Sequence, residues 1–406
     1  MAHNKVAVTG IGLVTAIGAS REDVWAAVRA GCSPMRRVRR FDATGFRSQI
    51  ACEVDGFDFT RYQNGHRSDR FDRFSEFAVA AARDAILDAR LVPEAETAVY
   101  LGSALGGIAF GEEQHKRYVT NGIKSVAPNV ALTVFAGAAA TNVAIELGLR
   151  GPAMSNANSC ASGAISIGEA FHLIRNAGIK VALAGGVECP LAPLTFGSFS
   201  LIKAMSRRND NPETSCRPFD LSRDGFVMAE GAAILVLEEW EHATLRGAHI
   251  LAEILGYATT NDAHHMTVPR PDGSEAARAI RLALDDASVA PCDVDYINAH
   301  ATGTVLGDAA EARAIRAIFG ESTPPISGTK PLHGHALGAS PAIEAAITVM
   351  AMNRSFVPAT ANLTNIDPDC PGNHVLSPGR EIEVRVALSN AFGFGGINAA
   401  LVFGRA

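Results

Sequence analysis

The 406-residue chain lacks paired cysteines, long apolar runs and a positive net charge. Its seven cysteines are scattered and no Cys-X-X-Cys pair occurs, so the pattern favours neither a zinc ribbon nor a disulfide framework. No apolar run reaches the length of a membrane span. A formal net charge of -6 argues against a broad nucleic-acid-binding face, because such faces are basic. These absences predict a cytoplasmic location, with no membrane or nucleic-acid partner.

The N-terminal stretch MAHNKVAVTGIGLVTAIG is not typical of a signal peptide, because no basic segment precedes a long apolar one. Short apolar segments that end in glycine recur instead, at residues 5–12, 98–107, 180–188 and 387–396. Each predicts a buried strand that runs into a tight turn. Helical patterns lie between them, at residues 74–89 and 274–288. Strands that alternate with helices indicate an α/β fold with mainly buried sheets.

The order of these segments suggests an internal duplication. In each half a helical pattern precedes a strand, and a segment rich in small residues follows later. The order and rough spacing match between the halves, whereas residue identity barely does. We therefore predict two structural repeats, residues 1–247 and 248–406, that pack as one body.

The segment SNANSCASGAISIG (155–168) contains Cys160 among small residues. The residues after it have helical spacing, so Cys160 is expected at or just before a helix N-terminus. The free N–H groups and the dipole at such an end favour a thiolate and could hold an oxyanion. Free cysteine is also among the most buried residue types, so an inert core residue is the alternative.

The segment NAHATGTVLGDAAEA (298–312) places His300 after a predicted strand and before an open turn. The hydroxyls of Thr302 and Thr304 in that turn could contact an extended ligand. The alternative is a histidine that simply bonds to a buried backbone carbonyl.

The segment GTKPLHGHALGASPAIEAA (328–346) brings together Lys330, His333, His335 and Glu344. His-Gly-His suggests a metal, but a zinc site needs three or four ligands and no further cluster accompanies it, so we predict none. A carboxylate among alanines needs a partner, and Lys330 is the natural one for Glu344.

The segment SNAFGFGGINAAL (389–401) alternates glycines with Phe392 and Phe394. It lacks the Lys-Ser/Thr that follows a phosphate-binding loop, so it predicts a flexible turn in which one aromatic ring gates a pocket. A cysteine thiolate can accept an acyl group, and two neutral histidines can stabilise an enolate.

These four segments, in this order, resemble those of the β-ketoacyl-acyl carrier protein synthases of the thiolase superfamily, most closely the elongating I/II branch. The motifs are SCASGA, NAHATGT, TKPLHGHALGA with Glu344, and SNAFGFGGIN, and the similarity covers nearly all of residues 5–403. The resemblance implies an α/β, thiolase-like, five-layered αβαβα fold with internal duplication. It also implies decarboxylative condensation of a cysteine-bound acyl group with malonyl-acyl carrier protein, in fatty acid or polyketide elongation.

The resemblance also implies a role for individual residues. Cys160 would be the acyl-accepting nucleophile, His300 and His335 would hold the malonyl carbonyl, and Lys330 and Glu344 would support that pair. The backbone N–H groups of Cys160 and Phe394 would form the oxyanion hole, with Phe394 as the gate.

Further residues would bind the substrates and the carrier protein. Thr302, Thr304, Phe226 and Phe392 would line the pantetheine and substrate site, and Lys203, Arg207 and Arg70 would dock the acyl carrier protein. The substrates are carried on phosphopantetheine, so no separate cofactor is expected. The chain would form a homodimer, or a heterodimer with a related synthase-like subunit.

Several positions depart from the family pattern. Ala301 and Ala229 stand where glycine is common, and His333 stands where threonine is usual. Residues 131–144, ALTVFAGAAATNVA, are rich in small side chains and predict an acyl pocket for a longer or stiffer chain, such as a polyene. A specialised lipid or polyketide pathway then becomes an alternative to primary fatty acid synthesis.

Four other functions are alternatives. A ketosynthase that is active only with a chain-length-factor-type partner stays possible, whereas non-catalytic partners usually lack the cysteine that this chain keeps. A thiolase would carry a second cysteine in the C-terminal glycine-rich loop. An initiating synthase would have asparagine in place of His335.

Overall fold

The computed structural model of the protein describes residues 4–62 and 71–406. The strands are β1 (Val6–Val14), β2 (Arg36–Arg37), β3 (Ile50–Cys52), β4 (Ala98–Gly102), β5 (Ala153–Asn156), β6 (Val181–Glu188), β7 (Met228–Ala229), β8 (Gly231–Glu239), β9 (Ala252–Asn261), β10 (Tyr296–Asn298), β11 (Ile326–Ser327), β12 (Phe356–Val357), β13 (Arg380–Glu381), β14 (Val386–Gly393) and β15 (Ile397–Gly404). The helices are α1 (Arg21–Ala30), α2 (Arg73–Asp88), α3 (Ile108–Asn121), α4 (Val130–Thr133), α5 (Ala138–Leu147), α6 (Ser162–Ala177), α7 (Pro193–Leu201), α8 (Trp240–Leu245), α9 (Ser274–Ala287), α10 (Val305–Phe319), α11 (Lys330–His333) and α12 (Ser340–Arg354).

Burial explains why the glycine-ended apolar segments form strands. β1 is buried along its whole length and β8 along nearly all of it, so both faces of the sheet are covered and the sequence reads as a continuous apolar run. The helical patterns predicted at residues 74–89 and 274–288 correspond to α2 and α9. Asp72 starts α2 by accepting a hydrogen bond from the backbone N–H of Ser75.

Within the described residues, ten strands form one sheet, in the order β11-β10-β14-β15-β9-β1-β8-β6-β4-β5. The sheet divides between β9 and β1, which pair only between Val6–Val8 and residues 252–254. Each side has five strands, and from the outer edge inward both sides follow the order 3-2-4-5-1 when the strands are numbered along their own half. The internal duplication predicted from the sequence is therefore confirmed by the topology.

The helices form three layers around the two halves of the sheet. α2 and α5 pack on the first half, and α9 packs on the second half with α10 against it. α6 and α12 lie in the middle, because α6 contacts both β4 and β9 while α12 contacts both β8 and β14. This is the five-layered αβαβα arrangement that the sequence predicted.

The two middle helices begin in the same way. A single 3-10 turn precedes each of them, Ser159–Ala161 before α6 and Leu337–Ala339 before α12. The first residue of each turn has a positive φ, 50° and 39° respectively, which is uncommon outside glycine. Cys160 and Gly338 thus occupy equivalent positions in the two halves.

No helix in residues 4–62 and 71–406 is long and apolar enough to cross a bilayer.

The boundary between repeats at residues 247 and 248 stays a prediction.

Candidate active site

Cys160 lines a cavity of about 90 Å³. It sits in the 3-10 turn that leads into α6, and 8% of its surface is exposed. The cavity wall also includes His300, His335 and Phe394. The structure thus brings together Cys160, His300 and His335, three of the five side chains predicted to be catalytic from separate segments of the sequence.

His335 is the histidine in contact with the thiol. Its Nε2 lies 3.1 Å from Cys160 Sγ, and its Nδ1 lies 3.0 Å from Ser340 Oγ at the start of α12. Phe226 packs edge-on against the imidazole, with the ring centroids 5.1 Å apart. Burial, reinforced by the nearby Lys330 ammonium, holds the pKa of His335 well below its usual value, so the ring is neutral.

His300 is fixed by its backbone as well as by its ring. Its N–H and that of Ala301 each donate to the Glu311 carboxylate at 2.8 Å. The ring lies across from His335, with centroids 5.6 Å apart at a steep angle. Burial, then the charge of Lys330, depresses the pKa of His300 far below its usual value. Both imidazoles are therefore neutral at physiological pH.

Lys330 and Glu344 form a buried ion pair behind the histidines. The Lys330 Nζ lies 2.5 Å from Glu344 Oε1, and both side chains are completely buried. The ammonium also donates to the His300 carbonyl and lies 3.4 Å from His300 Nδ1. An ammonium can only donate, so His300 Nδ1 accepts and the ring proton sits on Nε2. The predicted pairing of Lys330 with Glu344 is present in the geometry.

The C-terminal glycine loop closes the site from the other side. It is the turn between β14 and β15, and Gly395 and Gly396 within it have φ of 85° and 73°, a region that favours glycine. The Phe394 ring stacks on Phe199 with centroids 6.3 Å apart. The Phe394 backbone N–H donates to the Cys160 sulfur.

The Cys160 thiol is protonated in this environment. Burial raises its pKa to about 12, and the opposing effects of Lys330 and the Phe394 N–H are smaller. This differs from the expectation that the helix N-terminus alone favours a thiolate. Since the thiol does not ionise by itself, its proton needs an acceptor, and His335 Nε2 is in position to take it.

Two family models of known proteins together match most of the chain. Residues 3–243 match the family model described as beta-ketoacyl synthase, N-terminal domain, and residues 251–364 match beta-ketoacyl synthase, C-terminal domain. The chain belongs to the β-ketoacyl synthase family. It is accordingly an acyltransferase of the β-ketoacyl-acyl carrier protein synthase class.

Curated relatives match this β-ketoacyl synthase over nearly its whole length. A protein of Synechocystis sp. named 3-oxoacyl-[acyl-carrier-protein] synthase 2 is 42% identical, covering 98% of this chain and 97% of its own. A protein of the same name from Staphylococcus aureus is 39% identical and is covered at 99% of both chains.

Solved structures match equally completely. "The ishigamide ketosynthase/chain length factor" has a TM-score of 0.95 at 36% identity, with 100% of both chains covered. A type II polyketide acyl carrier protein in complex with its ketosynthase, AntDE:AntF bound to the hexaketide, has a TM-score of 0.92 at 33% identity, with 100% of both chains covered. These matches establish the thiolase-like fold of the chain.

The predicted substrate residues of this β-ketoacyl synthase line the cavity. Thr302, Thr304, Phe226 and Phe392 all belong to its wall. The hydroxyl of Thr304 also accepts the N–H of Gly307 and so caps α10. A threonine at this position therefore serves the helix as well as the cavity.

Two of the predicted docking residues, Lys203 and Arg207, lie apart from the cavity wall. Lys203 and Arg207 are exposed just after α7. Arg70 lies outside the described residues. Their role in docking stays a prediction.

His333 and His335 do not converge on a common point. His333 Nε2 bonds to Thr329 Oγ1 at 3.1 Å, whereas His335 reaches Cys160. Burial lowers the pKa of His333 to about 3, so it is a neutral, internally bonded core residue.

The small-residue segment 131–144 does not line the catalytic cavity. It folds into α4, a short turn and most of α5, and Ala138, Ala139 and Ala140 are buried in the core. The prediction that it forms an acyl-pocket wall therefore has no support within a single copy of the chain.

Sequence reasoning missed two buried carboxylates beside the site. Glu311 holds the backbone of His300, and Glu188 binds backbone N–H groups near Cys160. Glu311 lies among alanines in AAEA, the same signal that identified Glu344. Glu188 ends an apolar run, but its partners are mostly backbone N–H groups. The sequence does not show which backbone groups will lie near a side chain.

Proposed function

We propose that this β-ketoacyl synthase elongates acyl chains by condensing an acyl group held on Cys160 with malonyl-acyl carrier protein. The observation that carries the proposal is the 3.1 Å contact between Cys160 Sγ and the neutral His335 ring, with the neutral His300 facing the same cavity. One nucleophile and two neutral imidazoles supply what acyl transfer and enolate stabilisation each need.

Acyl transfer begins with the loss of the thiol proton. His335 Nε2 takes the proton of Cys160 as the sulfur attacks the thioester carbonyl. The bond from the acyl carbon to the carrier sulfur breaks, and that sulfur leaves with the proton. The N–H groups of Cys160 and Phe394 stabilise the transient oxyanion, a role whose loss typically costs on the order of 100-fold in kcat.

Decarboxylation then uses both histidines as donors. The malonyl thioester loses carbon dioxide, and its carbonyl oxygen becomes an enolate oxygen between the two rings. His300 carries its proton on Nε2, because Lys330 occupies Nδ1. The Ser340 hydroxyl can donate to or accept from His335 Nδ1, so it supports the tautomer that each step needs. The enolate carbon attacks the acyl carbon, and the Cys160 sulfur leaves as a thiolate that regains its proton from solvent.

A second candidate is a ketosynthase that works only beside a chain-length-factor-type subunit. The ishigamide structure is named for a ketosynthase and a chain length factor, and its chain matches this one over their full lengths. The curated relatives are instead named for 3-oxoacyl-acyl carrier protein synthesis. Activity of the purified chain alone separates these candidates.

The remaining predictions from the sequence stand as part of this proposal. The substrates arrive on the phosphopantetheine of an acyl carrier protein, so no separate cofactor takes part. Lys203, Arg207 and Arg70 contact that carrier protein. The enzyme works in the cytoplasm, as a dimer.

The test follows the acyl group. The purified chain is incubated with octanoyl-acyl carrier protein and examined by intact-protein and peptide mass spectrometry, and malonyl-acyl carrier protein is then added. We expect one octanoyl group on Cys160, followed by the β-ketoacyl product and one equivalent of carbon dioxide. Cys160→Ala should form neither the adduct nor the product.

Cys292→Ala is the matched control, because Cys292 is an exposed cysteine elsewhere on the chain. It should behave like the parent. An octanoyl adduct of normal yield on Cys160→Ala would overturn the proposal. An adduct on the parent that releases no product until a second subunit is added would favour the heterodimer candidate.

A further inference from the structure

Glu188 is a buried carboxylate that the proposed chemistry does not use. It is the last residue of β6 and is fully buried. Its Oε1 accepts from Ser103 Oγ at 3.0 Å and from the Leu105 N–H at 3.1 Å. Its Oε2 accepts from the Ala104 N–H at 2.6 Å and from the Gly338 N–H at 3.0 Å. Four donors, three of them backbone groups, thus converge on one side chain.

The donors come from two loops that border the catalytic cysteine. Ala104 and Leu105 pack on the apolar cluster that contains Cys160. Gly338 belongs to the turn between His335 and α12, and the neighbouring Leu337 lines the catalytic cavity. The carboxylate therefore ties a loop of the first half to the turn of the second half that follows the catalytic histidine.

The backbone of the turn at Gly338 is tightly packed against its neighbours. A Cβ on Gly338 would lie 2.5 Å from the Ala104 N and 2.8 Å from Glu188 Oε2. The carbonyl of Gly338 in turn lies so close to Gly163 that a Cβ there would be 2.8 Å away. The first turn of α6, just after Cys160, therefore packs directly against the backbone of Gly338.

The internal repeat adds an independent observation. Gly338 is the second-half counterpart of Cys160, at the middle of the same 3-10 turn. Its N–H donates to a carboxyl oxygen of Glu188, so the turn in this half already has an acceptor oxygen bound to its backbone. A Glu188 carboxyl oxygen fills the second turn, whereas the first turn faces the cavity.

We propose that Glu188 is a positioning residue, which fixes the turn 337–340 against the Cys160 turn and so sets the His335 imidazole at hydrogen-bonding distance from the thiol. The link runs through Gly338 to Ser340, whose hydroxyl contacts His335 Nδ1. Glu188 touches neither substrate nor reacting atoms. The inference rests on the proposed function, because its readout is the condensation reaction.

Glu188→Gln tests it with little change in shape. A glutamine has one acceptor oxygen, and the four donors are shared between two, so at least one buried backbone N–H loses its acceptor. We expect kcat per Cys160 site to fall tenfold or more, while KM for the malonyl carrier protein changes less than about threefold. Active sites are counted by the octanoyl adduct on Cys160, so unfolded protein does not enter kcat.

Ser103→Ala is the matched variant. It removes a side-chain donor to the same carboxylate but leaves the Gly338 contact, so kcat should stay within about threefold of the parent. A Glu188→Gln enzyme with parental kcat per labelled site would overturn the inference. If Glu188→Gln does not fold, Glu188→Asp, which keeps the charge but is one methylene shorter, takes its place with the same criterion. A parent that forms no Cys160 adduct would instead refute the proposed function.

Discussion

At the residue scale, the chemistry depends on groups held in their neutral forms. Burial keeps His300 and His335 uncharged and raises the pKa of the Cys160 thiol to about 12. The resting site is thus a thiol beside a neutral imidazole, rather than a preformed ion pair. Because the thiolate is the reactive form of cysteine, we expect the resting thiol to react slowly with adventitious electrophiles.

This protonation state predicts how Cys160 reacts with iodoacetamide. Because the raised pKa lies far above neutrality, the thiolate fraction grows about tenfold per pH unit, and the alkylation rate should keep rising from about pH 7 to about pH 9. The rate is measured by loss of octanoyl labelling at Cys160. A plateau at or below about pH 8 would contradict the prediction, because it would indicate a thiol with a depressed pKa.

The sequence predicted those residues whose own chemistry is rare in their surroundings. Cys160, His300 and Glu344 stand out among alanines and glycines, and the structure places each of them at or directly behind the cavity. Glu188 was not predicted, because backbone N–H groups bind it and every residue type except proline carries one. The direction of the Cys160 pKa shift was not predicted either. Burial raises this pKa more than the helix N-terminus was expected to lower it, and the extent of burial depends on the whole fold.

At the element scale, α6 and α12 meet closely because glycine lies between them. Gly163 is in the first turn of α6, where an added Cβ would lie 2.8 Å from the Gly338 carbonyl oxygen and 3.1 Å from Ala342 Cβ. The obstacle is backbone on one side and a helix on the other, so neither can yield cheaply. The close approach keeps the Cys160 turn and the His335 turn in contact.

Gly163→Ala should therefore destabilise the fold despite the better helix propensity of alanine. Overpacking at such a contact costs about 1–3 kcal/mol, against a gain of up to about 1 kcal/mol from propensity. Gly111→Ala in α3 is the control, because its Cβ would meet only the end of the Val134 side chain, at 3.3 Å. Thermal and urea unfolding should rank Gly163→Ala below the parent and Gly111→Ala at or above it. Equal stability of Gly163→Ala and the parent would contradict this account of the contact.

At the scale of the whole molecule, the two halves share a strand order although their residues barely match. The sequence could predict the repeat only from the order of its segments. The same strand order can be kept by any set of side chains that buries a core, so residue identity need not match between the halves. The two halves differ at the middle of the equivalent 3-10 turn, which is Cys160 in the first half and Gly338 in the second. One active site, built by both halves, results.

The outer edge of the first half carries a surface suited to a partner. Among residues 4–62 and 71–406, β5 is the last strand of the sheet and pairs with β4 alone. Met154 on β5 is 55% exposed, and Ile145 on α5, which packs against β5, is 61% exposed. An open strand edge beside exposed apolar side chains favours pairing with another chain. We expect a second copy of this chain to pair there.

Met154→Lys should weaken that dimer, because it places a charge on the paired edge. Sedimentation velocity should show the parent as a dimer and the variant shifted toward monomer, with a loss of dimer affinity of about tenfold or more. Leu245→Lys at the end of α8, where leucine is 89% exposed, should leave the dimer intact. A parent that is monomeric alone, yet associates and condenses once a related synthase-like chain is added, would contradict self-pairing. The same edge would then serve a heterodimer, because a strand edge recognises backbone and does not by itself distinguish a copy from a relative.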